Sequence, residues 1–228
     1  MSSIAIITAR GGSKRIPRKN IKEFCGKPIL AYSIEAAIQS NIFDEVMVST
    51  DDEEIAETAK KYGASVPFMR SAETANDYAT TNDVLKEVLL EYEKRDKHFD
   101  IAVCIYPTAP FVTAEKLKKA VEMLIEQSAD EVIPIVQFSF PPQRGFVIRD
   151  EELQYQYPEN ALVRSQDLEP IYHDCGQFYV LKSDNVLNGV EDVYTIPLIM
   201  PETEVQDIDN ENDWKIAEMK YKMMQDCK

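Results

Sequence analysis

Short, nearly continuous apolar runs alternate along this chain with longer stretches in which apolar residues recur every three or four positions. Ile4 to Thr8 is the first run and reads as a buried strand; beyond a basic loop and Pro28, Ala31, Ile34, Ala37 and Ile38 recur at helical spacing. Val46 to Thr50 reads as the next strand, Asp51 with Glu54 as a capping pair, and Ile55, Ala56, Ala59 and Tyr62 as the stripe of a helix that Gly63 stops. A short strand at Val66 to Met69, a helix through Val84, Leu85, Val88, Leu89 and Tyr92, and a strand at Ile101 to Tyr106 follow. Thr113 stands where it caps a helix carrying Leu117, Ala120, Val121, Leu124 and Ile125, and Val132 to Val136 is a further strand.

Strands alternating with helices of this length predict an α/β fold with one mostly parallel sheet covered on both faces, its ligands gathering beyond the strand C-termini. Loops 10–27, 70–81 and 106–113 all leave such ends. The rhythm breaks over 137–172, which holds Pro141, Pro142, Pro158 and Pro170, several aromatics and no helical spacing. The prediction is a single domain over 1–228 with this segment as an excursion or arm. Its Phe138, Phe140, Phe146, Tyr155 and Tyr157 are too poor in helix signals around them to make a core alone, which predicts packing on a partner copy. Strand-like runs return at Phe178 to Leu181 and Tyr194 to Leu198, and Trp214, Ala217, Tyr221 and Met224 share one helix face at the end.

A chain of 228 residues, 44% of them hydrophobic, is long enough to bury a full core. No apolar run approaches the ~20 residues of a membrane span, and Met1 to Ile7 carries no basic n-region, so the expectation is a soluble cytoplasmic protein. Cys25, Cys104, Cys175 and Cys227 form no C-x-x-C pair and meet no His cluster, which leaves reduced thiols. The net charge of −15 argues against a general nucleic-acid binder. That charge is unevenly spread: residues 10–27 hold seven basic groups against the single acid Glu23, while the rest of the chain holds 18 basic against 39 acidic residues.

The basic loop gives the first candidate chemistry. In Ala9-Arg10-Gly11-Gly12-Ser13-Lys14-Arg15-Ile16-Pro17-Arg18-Lys19-Asn20, two glycines after a strand let backbone N–H groups approach an oxyanion, while Ser13 and the cations surround it. A polyphosphate suits such a loop. It matches neither the Walker A pattern nor G-x-G-x-x-G, so ATPase and dehydrogenase readings lose their usual support, and a solvated basic turn is the bland alternative. Asp207 and Asp209 form a D-x-D pair whose side chains can point the same way as hard oxygen ligands; on spacing alone they read equally well as an acidic turn before the last helix, with Asn210 as N-cap.

Several separated motifs, in order, resemble the CMP-N-acetylneuraminate synthetase group, the cytidylyltransferases that activate nine-carbon keto-acid sugars. The carriers are the loop Ala9 to Asn20, Val48-Ser49-Thr50-Asp51-Asp52, Arg70 with Asn76 to Thr81, Tyr106-Pro107-Thr108-Ala109-Pro110, His173 to Tyr179, and Asp207-Ile208-Asp209. The resemblance covers essentially the whole chain. It implies a three-layer, Rossmann-like nucleotidyltransferase (GT-A-like) fold with a dimerisation arm, a homodimer, and transfer of CMP from CTP to the anomeric hydroxyl of the sugar, with Mg²⁺ required and pyrophosphate released. By position it implies that Arg10, Gly11, Gly12, Ser13, Lys19 and Asn20 meet the nucleotide, Arg70 and Thr81 its base and ribose, and Asp207 and Asp209 the metal, with Arg10, Lys19 and Asp209 as the catalytic groups.

Two departures bear on the sugar. Tyr106 stands where sialate enzymes of the group usually carry Gln, and His173-Asp174-Cys175 replaces a common Arg-x-Asn before Gly176; both changes resemble the pseudaminate-activating members. The expected sugar contacts are Tyr106, Arg164, His173, Gln177 and Tyr179. Arg164 is the candidate partner of the sugar carboxylate, since a planar guanidinium matches a planar acid. Tyr179 reads as an acyl-group contact or as core, and His173 as a sugar contact or a structural imidazole, whereas His98 reads as a solvated loop residue. Competing readings are an enzyme for N-acetylneuraminate, legionaminate or the eight-carbon Kdo, and a nucleotide-binding regulator that has kept the fold without turnover.

Overall fold

The structure is a computed structural model that describes residues 1–226; Cys227 lies outside the described residues. Its strands in chain order are β1 (Ser3–Thr8), β2 (Glu23–Phe24), β3 (Lys27–Pro28), β4 (Glu45–Ser49), β5 (Ile101–Ile105), β6 (Glu131–Gln137), β7 (Phe146–Arg149), β8 (Glu152–Tyr155), β9 (Tyr172–Asp174), β10 (Phe178–Lys182) and β11 (Thr195–Ile199). The helices are α1 (Ile29–Ser40), α2 (Glu53–Lys61), α3 (Thr81–Glu93), α4 (Ala114–Glu126), α5 (Ser183–Asn188) and α6 (Glu211–Asp226).

The central sheet has the order β11-β6-β10-β5-β1-β4, with β9 pairing on β6. β4, β1, β5, β6 and β11 run one way, and β9 and β10 run against them, so the sheet is mostly parallel. β1 shows why the layers form: Ala5 and Ile7 join the core under α1, α2 and α4, whereas Ile4 and Ile6 join the core under α3. A strand alternates faces, and both faces of β1 are apolar because each is covered by a helix layer.

A third apolar cluster lies at the C-terminal end of β1, where Ile16, Phe24, Ile29, Tyr32 and Phe111 meet Ile208, Trp214 and Ala217. It ties the basic loop and the last helix together. Lys27 lies over the Tyr32 ring and Lys22 over Trp214, so two of the loop's cations cover this cluster.

Two local expectations are corrected. Val66 to Met69 is no strand: only Ser65 bridges Met47, and Pro67 has no N–H to extend a ladder. Asp52, not Asp51, caps α2 by accepting from the Ile55 N–H, while Asp51 turns back to Gly11. Within the excursion the chain folds into the β7–β8 hairpin, with Phe146 opposite Tyr155 and Ile148 opposite Leu153, and β9 begins at its last residue, Tyr172.

Candidate active site

The basic loop is shaped by polar ties that begin one residue after β1. The Ala9 N–H donates to the Ser49 carbonyl at 2.9 Å, and the Gly11 N–H donates to Asp51 Oδ1 at 2.8 Å. A Cβ on Gly11 would stand 2.9 Å from Asp52 Oδ2, so the approach of the loop to the start of α2 requires glycine there. Gly12 lies in open space. Buried Asn20 donates from Nδ2 to the Arg10 carbonyl at 2.9 Å and staples the loop across its mouth, and Ile16 anchors its middle in the apolar cluster.

Above this loop is a cleft of about 480 Å³ at the C-terminal ends of β1 and β5. Of the predicted residues, Arg10, Ser13, Lys19, Asn20, Arg70, Thr81, Tyr106, Asp207 and Asp209 line it. The loop's cations are divided. Arg10, Lys14, Arg15 and Lys19 line the cleft, whereas Arg18 pairs with Asp52 and Glu54, Lys22 with Glu211 and Lys27 with Glu35. Four cations rather than seven therefore face a ligand, and Arg18 serves to hold the loop on α2.

Opposite the cations stands the acidic pair. Ile208 is fully buried, and in an extended segment that sends its two neighbours to the other side, so Asp207 and Asp209 both line the cleft. Lys19 Nζ donates to the Ile208 carbonyl at 2.8 Å, and Arg15 pairs with Asp209 at 2.7 Å. Desolvation pushes the Lys19 ammonium below its usual range, against the opposing pull of Asp209 and Asp207. The Asp207 carboxyl is pushed up, first by desolvation and then by Asp209 beside it.

Two crowded carboxylates fit a divalent cation, which relieves their repulsion. Among the described residues no group of three His, Cys, Asp or Glu side chains is placed to hold a metal. Asp207 and Asp209 are thus the two hard-oxygen side chains that could hold such an ion.

Arg70 closes the far side. It is buried, donating from Nε to Ser49 Oγ at 3.0 Å and from Nη2 to the Ser49 carbonyl at 2.7 Å, and burial lowers its pKa from the ordinary guanidinium range. Tyr106, just after β5, sets its hydroxyl 3.0 Å from Thr81 Oγ1 and its ring edge-on to Tyr179 with centroids 5.6 Å apart. Thr80, Thr81 and Tyr106 also line a second hollow of about 240 Å³, whose other wall includes Tyr179, Leu181 and Glu131. Cleft and hollow are adjoining compartments that share these three residues.

The other predicted sugar contacts lie elsewhere. Arg164 is on the excursion, largely exposed and doubly bonded to Asp167; His173 is exposed on β9, its ring against Phe138. Gln177 is buried, with Nε2 donating to the Glu204 carbonyl and Oε1 unpartnered. Conversely, Asp77 lines the cleft without a role assigned from the sequence, and Lys14 and Arg15, read only among the loop's cations, line it too. Asp77 binds both Arg10, at 2.7 Å, and Lys14. The signal was available, since Asn76 to Thr81 follows Arg70 as a polar run between two elements, but only the fold shows which carboxylate reaches back to the loop.

Comparisons with known proteins bear on the family and the fold. The family described as cytidylyltransferase matches residues 4–207. The chain is 40% identical over 230 residues to a pseudaminic acid cytidylyltransferase of Campylobacter jejuni, covering 98% of this chain and 97% of that one. It is 33% identical to a CMP-N,N'-diacetyllegionaminic acid synthase of Legionella pneumophila, covering 100% and 99%. Among solved structures, CMP:2-keto-3-deoxy-manno-octonic acid synthetase complexed with CTP superposes with a TM-score of 0.69 at 19% identity, over 99% of this chain and 100% of that one.

Proposed function

The chain belongs to the cytidylyltransferase family and is a nucleotidyltransferase, and from that premise we propose that it transfers CMP from CTP to the anomeric hydroxyl of pseudaminic acid, releasing pyrophosphate. The observation that carries this reading is the single cleft in which Arg10, Lys14, Arg15 and Lys19 face Asp207 and Asp209, with Tyr106 at the passage to a second hollow. The choice of sugar rests on the C. jejuni relative and on Tyr106 with His173-Asp174-Cys175.

In this reading the triphosphate lies along 10–20. Arg10 and Lys14 exchange their bond with Asp77 for phosphate oxygens, and Lys19 and Arg15 neutralise charge that grows on the leaving pyrophosphate. Arg70 and Thr81 hold the nucleoside, and a pocket fitted to a pyrimidine excludes the larger purines. The anomeric oxygen attacks the α-phosphorus as the bond to the β-phosphate oxygen breaks, and its proton leaves toward Asp209. Asp207 and Asp209 would hold Mg²⁺, which when bound supplies charge neutralisation at the phosphates and polarises the attacking hydroxyl. No covalent enzyme intermediate is required.

The same reading makes the chain a homodimer through the excursion. Its support is the exposure of apolar side chains there: Ile148 is 76%, Leu153 66% and Phe140 86% exposed. Dimerisation would cover them and offers Arg164 a route to the cleft of the other copy. Among the described residues no helix is long and apolar enough to cross a membrane; we place the activity in the cytoplasm, where thiols such as Cys25 stay reduced.

Pyrophosphate release from CTP or ATP, with a panel of pseudaminate, legionaminate, N-acetylneuraminate and Kdo, tests the proposal. Release from CTP with pseudaminate at the highest kcat/KM is the expected result. A preference for legionaminate or N-acetylneuraminate would move the sugar assignment within the family, comparable release from ATP would overturn the nucleotide assignment, and no release with any sugar would favour a regulator.

A further inference from the structure

Tyr179 lines the second hollow, and the proton of its hydroxyl is already spoken for. Its Oη donates to Asp174 Oδ2 at 2.7 Å, and the other oxygen of the same carboxylate, Oδ1, accepts the Gly176 N–H at 2.6 Å. Gly176 has φ +60°, so the turn that brings this N–H onto Asp174 is one that glycine readily makes. Asp174 is thus fixed from the backbone side and holds the phenol from the other. With that proton committed, the Tyr179 oxygen has only lone pairs left to offer, one toward the neighbouring Tyr106 hydroxyl and one for a donor in the hollow. The ring itself is fixed edge-on against Tyr106, whose hydroxyl meets Thr81 at the boundary with the nucleotide cleft.

We infer that Asp174 is a positioning residue for the sugar: by holding the Tyr179 proton it makes that phenol a hydrogen-bond acceptor, which selects a sugar substituent that donates, an amide N–H or a hydroxyl, in the hollow beside Tyr106. The inference rests on the cytidylyltransferase reading above and names the polarity of its sugar subsite. A carboxylate is the side chain that suits the place, because it accepts on both sides at once. An asparagine there has one oxygen. If that oxygen takes the Gly176 N–H, its amide NH₂ faces Tyr179 and reverses the hydrogen bond, turning the phenol proton into the hollow, where it meets the donor on the sugar. A site that pairs polar groups with particular substituents loses discrimination when one of them is turned round.

The test is a double-mutant cycle with Asp174→Asn and Tyr179→Phe, read as kcat and KM for sugar and for CTP, with the thermal midpoint of each variant. The sugar is whichever member of the panel the parent uses best, so a wrong sugar assignment overturns the earlier reading without touching this comparison. Asp174→Asn is expected to lower kcat/KM for the sugar about tenfold, the size of one hydrogen bond, mostly through KM, with KM for CTP within about twofold of the parent. In the Tyr179→Phe background the same substitution should cost less than about twofold, because there is no phenol left to orient. Should Asp174→Asn unfold the turn, Asp174→Ser, whose hydroxyl accepts from Gly176 but does not reach the phenol, gives the same cycle. Equal losses in both backgrounds, a parallel rise in KM for CTP, or no loss at all would each overturn the inference.

Discussion

The nucleotide cleft and the excursion 137–172 differ in how far one chain completes them. In the cleft, each charged wall is already held: Asn20 staples the loop, Lys19 reaches the Ile208 carbonyl, Arg15 meets Asp209, and Asp77 occupies Arg10 and Lys14. In the excursion, a two-stranded hairpin exposes Ile148 and Leu153 on paired positions, and Arg164 pairs with its neighbour Asp167. An isolated hairpin of this kind is marginal in water. The comparison teaches that one chain already assembles the charged cleft, whereas Arg164, the proposed carboxylate partner, stands outside it.

Variants can break this contrast from either end. The largest effect is expected from Asp209→Asn, which should lower kcat by about a hundredfold or more, as loss of a charge-stabilising group at the reacting phosphate does, while binding of metal-free CTP stays nearly unchanged. Steady-state kinetics with a titration of Mg²⁺, alongside equilibrium CTP binding, checks it; full activity in excess chelator would remove the metal from the account. The next effect concerns the excursion. Ile148→Asp with Leu153→Asp should weaken self-association by at least about tenfold, since two apolar side chains exchange burial for charge, and should reduce sugar use more than CTP binding. Sedimentation at micromolar protein reads the first and substrate kinetics the second.

Much of the nucleotide side was legible in the chain, because its signals are local. The loop's glycines and cations, Asn20 and the D-x-D pair all stand in short motifs, and the alternation around buried Ile208 is enough to bring Asp207 and Asp209 to one wall. The order of strands and helices followed from apolar spacing, since β1, β4 and β5 are covered on both faces. What failed was set by tertiary context. Seven cations in one loop gave no sign that Arg18, Lys22 and Lys27 would be turned to Asp52, Glu211 and Glu35. Of two adjacent aspartates, only the fold decides that Asp52 caps α2 and Asp51 holds Gly11. The β7–β8 hairpin escaped notice because a solvent-exposed two-stranded ribbon needs no regular apolar alternation, and α5, only six residues long, has too few turns to show a period.

Two smaller effects sharpen the boundary between the regions. Tyr106→Gln is expected to lower kcat/KM for the preferred sugar by about tenfold while changing KM for CTP less, because the phenol stands at the passage between cleft and hollow. Equal effects on both substrates would place Tyr106 wholly on the nucleotide side. Asp52→Ala removes the cap of α2 and the partner of Arg18, and should cost about 1 kcal/mol from the cap, or a fall of roughly 2–4 °C in the thermal midpoint. Its pH dependence has a definite sign. The Arg18 hydrogen bond, together with the helix N-terminal N–H groups, holds the Asp52 carboxyl below its ordinary value, so its contribution is present above about pH 4 and is lost as pH falls through the lowered folded pKa. The midpoint difference between parent and variant should therefore shrink in acid, and one that grew there would contradict the pairing.

The central claim is that this cleft moves the α-phosphate of CTP, with its nucleoside, onto a keto-acid sugar. Supplying CTP labelled at the α-phosphorus together with pseudaminate and Mg²⁺, and following the label by chromatography, tests it directly. The account predicts that the label passes into a CMP-sugar in step with unlabelled pyrophosphate, and that Asp209→Asn slows both by about a hundredfold or more. Label recovered as free CMP with no sugar conjugate at any time, or equal transfer from labelled ATP, would contradict it.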